Sequence, residues 1–395
     1  MLTPLHKKRR IVAIGILAGL FSLIMGSLYA YPAIRTWASE QKAPPVAQIP
    51  ADPDPVLPEP APEPVPYVHP KVKGIYVSAY IASTPSRMNE LLTWVEETEL
   101  NGMVIDVKDD RGKIPWRTEV ALAKNYNSYD TRLKDIENLI VRMDEGGIYP
   151  IARLVAFKDP ALAEARPDLA VKSSAGGIWR DRTGAGWLDP HNWINWQYMV
   201  DVAKEAAAKG FKEIQFDYVR FPSDGSLSLI RYDHATGQPR AEVIRDFLAF
   251  AKSELEPLGI RVSADVFGLV TVSKTNDMGI GQILEHVYSS VDVVSPMLYP
   301  EHYAAGTFGI PDPDKEPYLT VLKSLQAAAA RLEEHPNREN IYMRPWLQDF
   351  SLRHRYGATE IQAQIQAVYD AGFEEWLLWD PRCSYTREAF PKKQN

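Results

Sequence analysis

The sequence predicts an α/β protein folded as a (β/α)8 TIM barrel, a closed ring of eight parallel strands surrounded by helices. Short apolar runs alternate with amphipathic stretches from residue 72 onward, which is the pattern of a parallel sheet with crossover helices. Eight such runs within roughly 325 residues fit a barrel with insertions. The runs cover residues 74–80, 102–107, 149–155, 213–219, 261–266, 291–298, 341–347 and 375–379.

Seven amphipathic stretches between these runs predict the crossover helices. They cover residues 86–100, 131–145, 193–209, 241–258, 280–289, 318–334 and 359–371, and glycines follow four of them, where helices commonly end. Only residues 381–395 follow the last run. We therefore expect the closing helix to be short or missing. An open doubly wound sheet is the alternative fold, but no G-x-G-x-x-G motif follows the first strand.

The N-terminal segment predicts a membrane anchor. A basic cluster at 7–10 ends a short tail, 1–10, and precedes an uncharged apolar run at 11–34, which is long enough to cross a bilayer as a helix. Basic flanks stay cytoplasmic, which predicts a single-pass cell-membrane protein with the barrel outside the cytoplasm. Secretion after signal cleavage is the alternative, but a cut after Ala30 places Leu28 where a small residue is preferred.

Residues 35–70 predict a linker between this anchor and the barrel domain, 71–395. Proline nearly alternates with Glu and Ala over residues 43–70. This composition favours polyproline II at about 3.1 Å per residue, and hence a semi-rigid spacer on the order of 80 Å. A disordered linker fits the composition equally well.

Composition excludes several classes of partner and cofactor. A net charge of −7 without a basic stripe gives no sign of a nucleic-acid partner. The single Cys383 excludes an intrachain disulfide. No paired-His zinc motif is present, and Arg117 stands where a calcium loop beginning at Asp106 needs its bidentate Glu. The sequence therefore predicts neither a metal nor another cofactor, and it gives no indication of oligomeric state.

Polar side chains gather at the carboxyl ends of the predicted strands. Asp217 ends the apolar run of EIQFDYVRFP (213–222), where an acid departs from the apolar composition of a buried parallel strand. The other residues at these ends are Asp106, Lys108, Asp265, Tyr299, Gln348 and Asp380. Because catalytic groups of such barrels lie at this mouth, we expect a site here. Glu213 opens its strand at the opposite face and is assigned no role.

Two long loops follow the third and sixth strands and offer further candidates. The first, 156–192, contains Trp187, whose ring could stack on a sugar, and Asp189 and His191, which could donate or accept hydrogen bonds. Trp193, which begins a helix, is expected to pack the loop onto the barrel. The second loop, 299–317, brings Glu301, His302 and Tyr303 over the mouth.

Seven motifs along residues 71–381 bear on the family of the chain: KGIYVSAY, IDVKDDRGKI, WLDPHN, FDYVRFPSDG, ADVFG, SPMLYPEHY and WLLWDP. On these motifs the chain resembles a bacterial glycoside hydrolase family, distantly similar to alpha-amylase-like barrels. In amylase-like barrels the nucleophile ends strand four and the acid/base ends strand five. The resemblance thus implies Asp217 and Asp265 for these roles, although the strand-five acid is usually Glu.

The expected spacing of the two acids agrees with that pairing. Neighbouring strands lie ~4.8 Å apart, so Asp217 and Asp265 can lie about 5–6 Å apart, which favours a retaining mechanism. Glu301 is the alternative acid/base, and its greater separation would favour inversion. Arg220 could keep Asp217 ionised or anchor the loop, and Asp380 could orient a sugar hydroxyl or Arg220.

Together these observations predict a membrane-anchored, extracytoplasmic enzyme that hydrolyses glycosidic bonds in a carbohydrate. The alternative is a non-catalytic module that binds envelope glycans. Such a module would hold Asp217 in a buried ion pair, with no second carboxyl within about 10 Å. An esterase or deacetylase would need a metal or a G-x-S-x-G serine, and the sequence offers neither.

Overall fold

Eight parallel strands form a closed ring in the computed structural model, which describes residues 70–336 and 338–393. Each strand pairs with the next in chain order, and both segments of the seventh pair with the sixth. The strands are β1 Lys73–Val77, β2 Gly102–Lys108, β3 Tyr149–Val155, β4 Glu213–Asp217, β5 Arg261–Phe267, β6 Val293–Leu298, β7 Tyr342–Met343 with Trp346–Gln348, and β8 Trp376–Trp379.

Pairing between β8 and β1 closes the ring, with Lys73 opposite Trp376 and Ile75 opposite Leu378. A closed ring of eight parallel strands confirms the predicted barrel and excludes the open doubly wound sheet. The strands match the predicted runs to within a few residues, because each run is buried on both faces and so reads as continuously apolar. All seven residues of β2 are buried, for example.

Helices connect the strands on the outside of the ring. They are α1 Ala79–Ala82, α2 Pro85–Glu96, α3 Ala121–Asn125, α4 Ile136–Glu145, α5 Pro160–Ala165, α6 Trp193–Ala208, α7 Arg240–Leu255, α8 Leu284–Tyr288, α9 Pro317–Glu333 and α10 Ala358–Asp370. After β8, the part of the chain that the structure describes contains only a 3-10 turn, Arg387–Ala389. The closing helix is therefore missing up to residue 393, as the short C-terminal segment predicts.

A buried ion cluster holds the end of the barrel opposite the mouth. Arg344 donates to both carboxylate oxygens of Glu213, at 2.8 and 3.2 Å, and to Glu375 Oε2 at 2.9 Å. The Arg344 and Glu213 side chains are fully buried. Glu213 thus has a structural role at the face where no site was expected.

The predicted anchor, 11–34, and the predicted linker up to residue 69 lie outside the described residues. Within residues 70–336 and 338–393, no helix combines the length and the apolar composition that crossing a membrane requires.

Candidate active site

A pocket of about 530 Å³ opens at the carboxyl ends of the strands. Asp217 and Asp265 both line it, so the structure brings the two predicted catalytic acids into one cavity. The wall is mostly aromatic and apolar, with two arginines and one histidine. The remaining lining residues are Arg153, Tyr218, Arg220, Phe267, Gly268, Leu269, Met278, Met297, Tyr299, His302, Tyr303, Trp346 and Trp379.

The alternation of side chains along β4 directs Asp217 into the barrel. Side chains two residues apart on a strand share a face, and Glu213 and Gln215 both bond to inward partners, Arg344 and Ser295. Asp217 continues this inward row at the end nearest the mouth. Its exposed fraction is only 7%, so the carboxylate is held in a largely water-excluded position.

Arg153 of β3 is the cationic partner of Asp217. Its Nη2 and Nε lie 2.5 and 3.0 Å from Asp217 Oδ2. Its Nη1 donates to Asp106 Oδ1 at 2.6 Å, and the Tyr76 hydroxyl donates to Asp106 Oδ2 at 2.6 Å. Burial disfavours the guanidinium, but Asp217 and Asp106 raise the pKa of Arg153 well above its usual value. Two buried carboxylates therefore share one arginine.

Tyr218 fixes the other oxygen of Asp217. Its backbone N–H donates to Asp217 Oδ1 at 2.6 Å. The residue adopts φ of +50°, a left-handed conformation that costs a non-glycine residue on the order of 1 kcal/mol or more. Both oxygens of Asp217 are thus hydrogen-bonded, which fixes the orientation of the carboxylate.

Asp265 lies on the neighbouring strand, one residue beyond the registered pair Phe216 and Ala264. Its Oδ1 accepts a hydrogen bond from Trp346 Nε1 at 2.8 Å, and its exposed fraction is 2%. Burial, followed by repulsion from Asp217, raises the pKa of Asp265 well above its usual value. No basic side chain lies within 4 Å of it in the described part of the chain. Asp265 is therefore favoured in the protonated form.

Four more predicted residues line the pocket: Tyr299 and Arg220, and, from the loop after β6, His302 and Tyr303. Tyr299 follows β6, and burial raises its phenol pKa well above its usual value, as do the charges of Asp265 and Asp217. Arg220 also faces the cavity, but it makes no ion pair with Asp217. Arg153 takes the role expected of Arg220. Asp106 is buried outside the pocket wall, where it acts through Arg153.

Two tryptophans, Trp187 and Trp193, lie opposite to expectation: the one predicted to face a sugar is buried, and the one predicted to pack the loop is exposed. Trp187 has an exposed fraction of 2% and donates from Nε1 to Asp181 at 3.1 Å. Its burial contradicts the expectation that it offers a face to a sugar. Trp193, expected to pack the loop, is 54% exposed and contacts Trp196 and Phe250 on the outside of the barrel. The sequence shows that these aromatic side chains are present, but it does not show which way each of them points.

Three further candidates hold loops instead of lining the pocket. Lys108 is fully buried and bonds to Asp159 at 2.9 Å and to a backbone carbonyl of β3, which contradicts a role in substrate binding. Asp189 is also fully buried and accepts the backbone N–H of His191. The His191 ring packs against Phe221. These pairs explain why polar residues cluster in this loop without forming a subsite.

Gln348 and Asp380 are likewise structural. Gln348 is fully buried, accepts the backbone N–H of Glu301 at 3.1 Å and donates to the carbonyl of Phe350. Asp380 Oδ1 accepts the backbone N–H of Arg382, closing the turn after β8. Neither lines the pocket, which contradicts their assignment to substrate. Both expectations failed because a polar residue at a strand end can equally terminate the strand.

Glu301 does not meet the requirements of an acid/base. Arg353 bonds to it at 2.8 Å, and the residue lies outside the pocket wall. Burial acts to raise its pKa, but hydrogen bonds with Asp314 and Arg353 lower it overall. An ionised, paired carboxylate is a poor proton donor. The alternative pairing of Asp217 with Glu301 is therefore not supported by this geometry.

Several pocket residues were missed at the sequence level. Arg153 interrupts the apolar run YPIARLV of β3, the same departure that marks Asp217, and this signal could have revealed it. Trp346 and Trp379 face the cavity from β7 and β8, and their rings contact each other at 5.6 Å. In apolar strands such aromatics cannot be distinguished from core residues. Within residues 70–336 and 338–393, no group of three or more His, Cys, Asp or Glu side chains is arranged to hold a metal ion.

Comparison with known families resolves the affiliation of this barrel. Residues 74–385 match the family described as "Putative glycosyl hydrolase domain". The chain belongs to that family. The match covers the whole barrel, including every pocket residue, and it confirms the resemblance inferred from the sequence motifs. No curated protein matches this chain.

Solved structures with similar folds include glycoside hydrolases. The PgaB (BpsB) glycoside hydrolase domain from Bordetella bronchiseptica aligns with a TM-score of 0.58 at 12% identity, over 82% of this chain and all of that domain. The alpha-galactosidase TtGalA from Thermus thermophilus aligns with a TM-score of 0.50 at 14% identity, over 82% of this chain and 61% of its own. A hypothetical protein from Ruminiclostridium thermocellum is 35% identical over 49% of this chain and 97% of its own, with a TM-score of 0.46. At these identities the first two establish a shared barrel fold.

Proposed function

We propose that this protein hydrolyses glycosidic bonds of an oligosaccharide or polysaccharide outside the cytoplasmic membrane, to which residues 11–34 anchor it. Asp217 is the nucleophile and Asp265 the general acid/base. The family match and the barrel fold support the reaction class. The basic cluster and apolar run of the N-terminal sequence support the location.

One observation gives the main support for this mechanism: the two acids of the pocket lie in opposite electrostatic environments. Arg153 compensates the charge of Asp217, whereas Asp265 has no cationic partner within 4 Å in the described residues and its pKa is raised. A pair of carboxyls whose environments favour different protonation states is the arrangement that two-carboxylate glycosidases use. Asp217 can therefore attack while Asp265 supplies a proton.

The proposed reaction has two steps. In the first, Asp265 donates its proton to the oxygen of the leaving sugar while an oxygen of Asp217 forms a bond to the anomeric carbon, and the glycosidic bond breaks. In the second, the now ionised Asp265 removes a proton from water, whose oxygen displaces Asp217 from the sugar. The enzyme returns to its starting protonation state.

The adjacency of β4 and β5 supports retention of configuration. Strands ~4.8 Å apart place terminal carboxyls near the roughly 5–5.5 Å that retaining enzymes need. A substrate found by screening defined oligosaccharides gives the check, since NMR of the first product released reports its anomeric form. Initial release of the inverted anomer would contradict the nucleophilic role of Asp217.

A glycan-binding module remains the second candidate because one of its expected features is present. Asp217 does sit in a buried ion pair, with Arg153. The other expected feature, isolation of Asp217 from a second carboxyl, is not met: Asp265 lines the same cavity and its pKa responds to the charge of Asp217. Hydrolysis is therefore the better supported of the two.

The deciding experiment compares the full-length protein with three variants on the substrate identified by the screen. Asp217→Asn and Asp265→Asn should each lower kcat by at least about a thousandfold, because each removes a reacting group. Asp110→Asn removes a carboxylate, 55% exposed, from the same rim and should keep normal activity. Circular dichroism and thermal melts confirm folding. Hydrolysis retained in a folded Asp217→Asn protein excludes the proposed mechanism.

A further inference from the structure

Arg220 differs from every other buried basic residue of the described chain. The buried basic residues within residues 70–336 and 338–393 are Lys108, Arg153, Arg220, Arg331 and Arg344. Four of them form ion pairs with carboxylates. Arg220, with an exposed fraction of 8%, has no carboxylate within 4 Å in this part of the chain. A buried charge without an ionic partner is costly, and such costs concentrate at functional sites.

Aromatic rings hold the Arg220 guanidinium in place at the pocket wall. Its central carbon lies 4.9 Å from the ring centroid of Trp187, 5.0 Å from that of Tyr218 and 4.8 Å from that of Phe267. Cation–π contacts of this kind stabilise a cation without neutralising its charge. Burial lowers the pKa of Arg220 from its ordinary value, but an arginine remains charged under physiological conditions.

The hydrogen bonds of Arg220 leave one edge of its fork unused. Nη1 donates to the carbonyl of Phe221 at 3.0 Å and to Ser223 Oγ at 3.2 Å. Among the described residues, Nε and Nη2 have no hydrogen-bond acceptor. These two nitrogens form the edge of a guanidinium that binds a carboxylate through two parallel hydrogen bonds. Arg220 is thus held in place, while two of its nitrogens keep the capacity to donate hydrogen bonds to a ligand.

The remaining charges of the pocket do not supply a counterion. Asp106 and Asp217 already bond to Arg153, and the raised pKa of Asp265 favours its uncharged form. Asp217, Asp224 and Asp181 influence Arg220 through space but lie beyond ion-pair distance. Burial lowers the pKa of His302, which favours its neutral form. Arg220 is left as the pocket cation available to a ligand.

We propose that the pocket binds an acidic glycan and that Arg220 accepts a carboxylate carried by the sugar in the site. This inference rests on the proposed function, because it assigns the substrate class of the same pocket. The carboxylate can belong to a uronic acid or to a lactyl ether such as that of N-acetylmuramic acid. Both present the same planar anion to the unused edge of Arg220.

Binding measurements test this assignment without requiring turnover. The full-length protein carries Asp265→Asn, which stops catalysis and replaces a favoured neutral acid by a neutral amide. Calorimetry compares three pairs of probes: oligogalacturonate with oligogalactose, oligoglucuronate with oligoglucose, and N-acetylmuramic acid with N-acetylglucosamine. The acidic member of at least one pair should bind tenfold or more tightly than its neutral counterpart, and the pair that responds identifies the source of the carboxylate.

Variants of Arg220 connect the preference to this residue. Arg220→Gln should abolish the preference for the acidic probe, whereas Arg220→Lys, which keeps the charge but not the fork, should retain part of it and serves if Arg220→Gln does not fold. Arg382→Gln removes an arginine from the same face whose side chain is 75% exposed, and should leave the preference intact. Equal responses to acidic and neutral probes, including no response to either, overturn the proposal, as does a preference that survives Arg220→Gln. None of these outcomes depends on whether hydrolysis occurs.

Discussion

The guanidinium of Arg153 bonds through both Nε and Nη2 to a single oxygen of Asp217. The other oxygen accepts the backbone N–H of the next residue, Tyr218. A carboxylate has about four lone-pair sites, two on each oxygen, so the two bonds from Arg153 fill those of Oδ2, whereas Oδ1 keeps one site free while its direction is fixed. Arg153 is therefore a positioning residue that sets both the charge balance and the orientation of the proposed nucleophile.

Replacement of Arg153 by Gln should change the pH dependence of catalysis as well as its rate. The charge of Arg153 acts to lower the pKa of Asp265, so loss of this charge should raise that pKa further and move the basic limb of the kcat/KM profile, set by the protonated Asp265, to higher pH. We expect kcat/KM to fall by roughly a hundredfold at its optimum. Arg153→Lys, which keeps the charge, should shift the limb less.

The matched control for this experiment is Arg111→Gln, since the Arg111 side chain is 59% exposed beside the mouth and pairs only with a neighbouring loop acid. Its pH profile should follow that of the wild type. If Arg153→Gln lowers the rate but leaves the basic limb in place, Arg153 supports the fold alone and does not act on the charges of the pocket.

Asp265 should make the protein less stable as the pH rises. Burial raises its pKa in the folded state, so above about pH 4 the folded chain binds more protons than the unfolded chain. The free energy of unfolding then falls with increasing pH until the folded-state pKa is passed. Asp265→Asn removes this loss and should be more stable than the wild type by about 1–3 kcal/mol at pH 8, with little difference near pH 4.

Urea denaturation of both proteins across this pH range measures the difference. Asp110→Asn, an exposed change of the same type, should show no such trend. A constant difference between wild type and Asp265→Asn at all pH values would mean that Asp265 is not preferentially protonated in the folded protein. That result would also remove the proposed proton donor.

Arg344 should be essential for stability but not through its charge as such. Arg344→Met removes the cation that bonds to both Glu213 and Glu375, and removing one partner of a buried ion pair costs about 3–5 kcal/mol. A triple variant that adds Glu213→Gln and Glu375→Gln should recover much of the loss, because the two carboxylates that Arg344 bonds to are then uncharged as well. Thermal melts provide the comparison, and a triple variant no more stable than Arg344→Met would show that packing around Arg344 dominates.

The barrel was predictable because each of its strands is buried on both faces, and such strands appear in the sequence as short, mostly apolar runs. The order of partners is nearly as accessible, since sequential parallel strands in such a ring pair with their neighbours. The ion pairs in the interior cannot be predicted in this way. Arg153 and Asp217 are 64 residues apart, and nothing local to either stretch specifies which cation meets which acid.

Side-chain direction limited the prediction of the site in the same way. Asp217 and Asp380 both follow apolar strands, yet one points into the cavity and the other accepts a turn N–H. Trp187 looked like a sugar platform because it lies in a polar, glycine-containing loop, whereas the loop folds back and buries its ring against Tyr218. The sequence predicts that a pocket lies at the carboxyl ends of the strands. Which residues line that pocket depends on the three-dimensional path of each loop.

The pairing of β1 with β8 has a consequence for the newly made chain. Residues 73–75 belong to the first strand of the ring, and their partners at 376–378 are synthesised after all the other strands. Until then the nascent protein carries two open strand edges, which favour association with other chains. The ring can be completed only after translation of its final strand, so the barrel as a whole cannot close strand by strand during synthesis and must close after Trp376–Trp379 has been made.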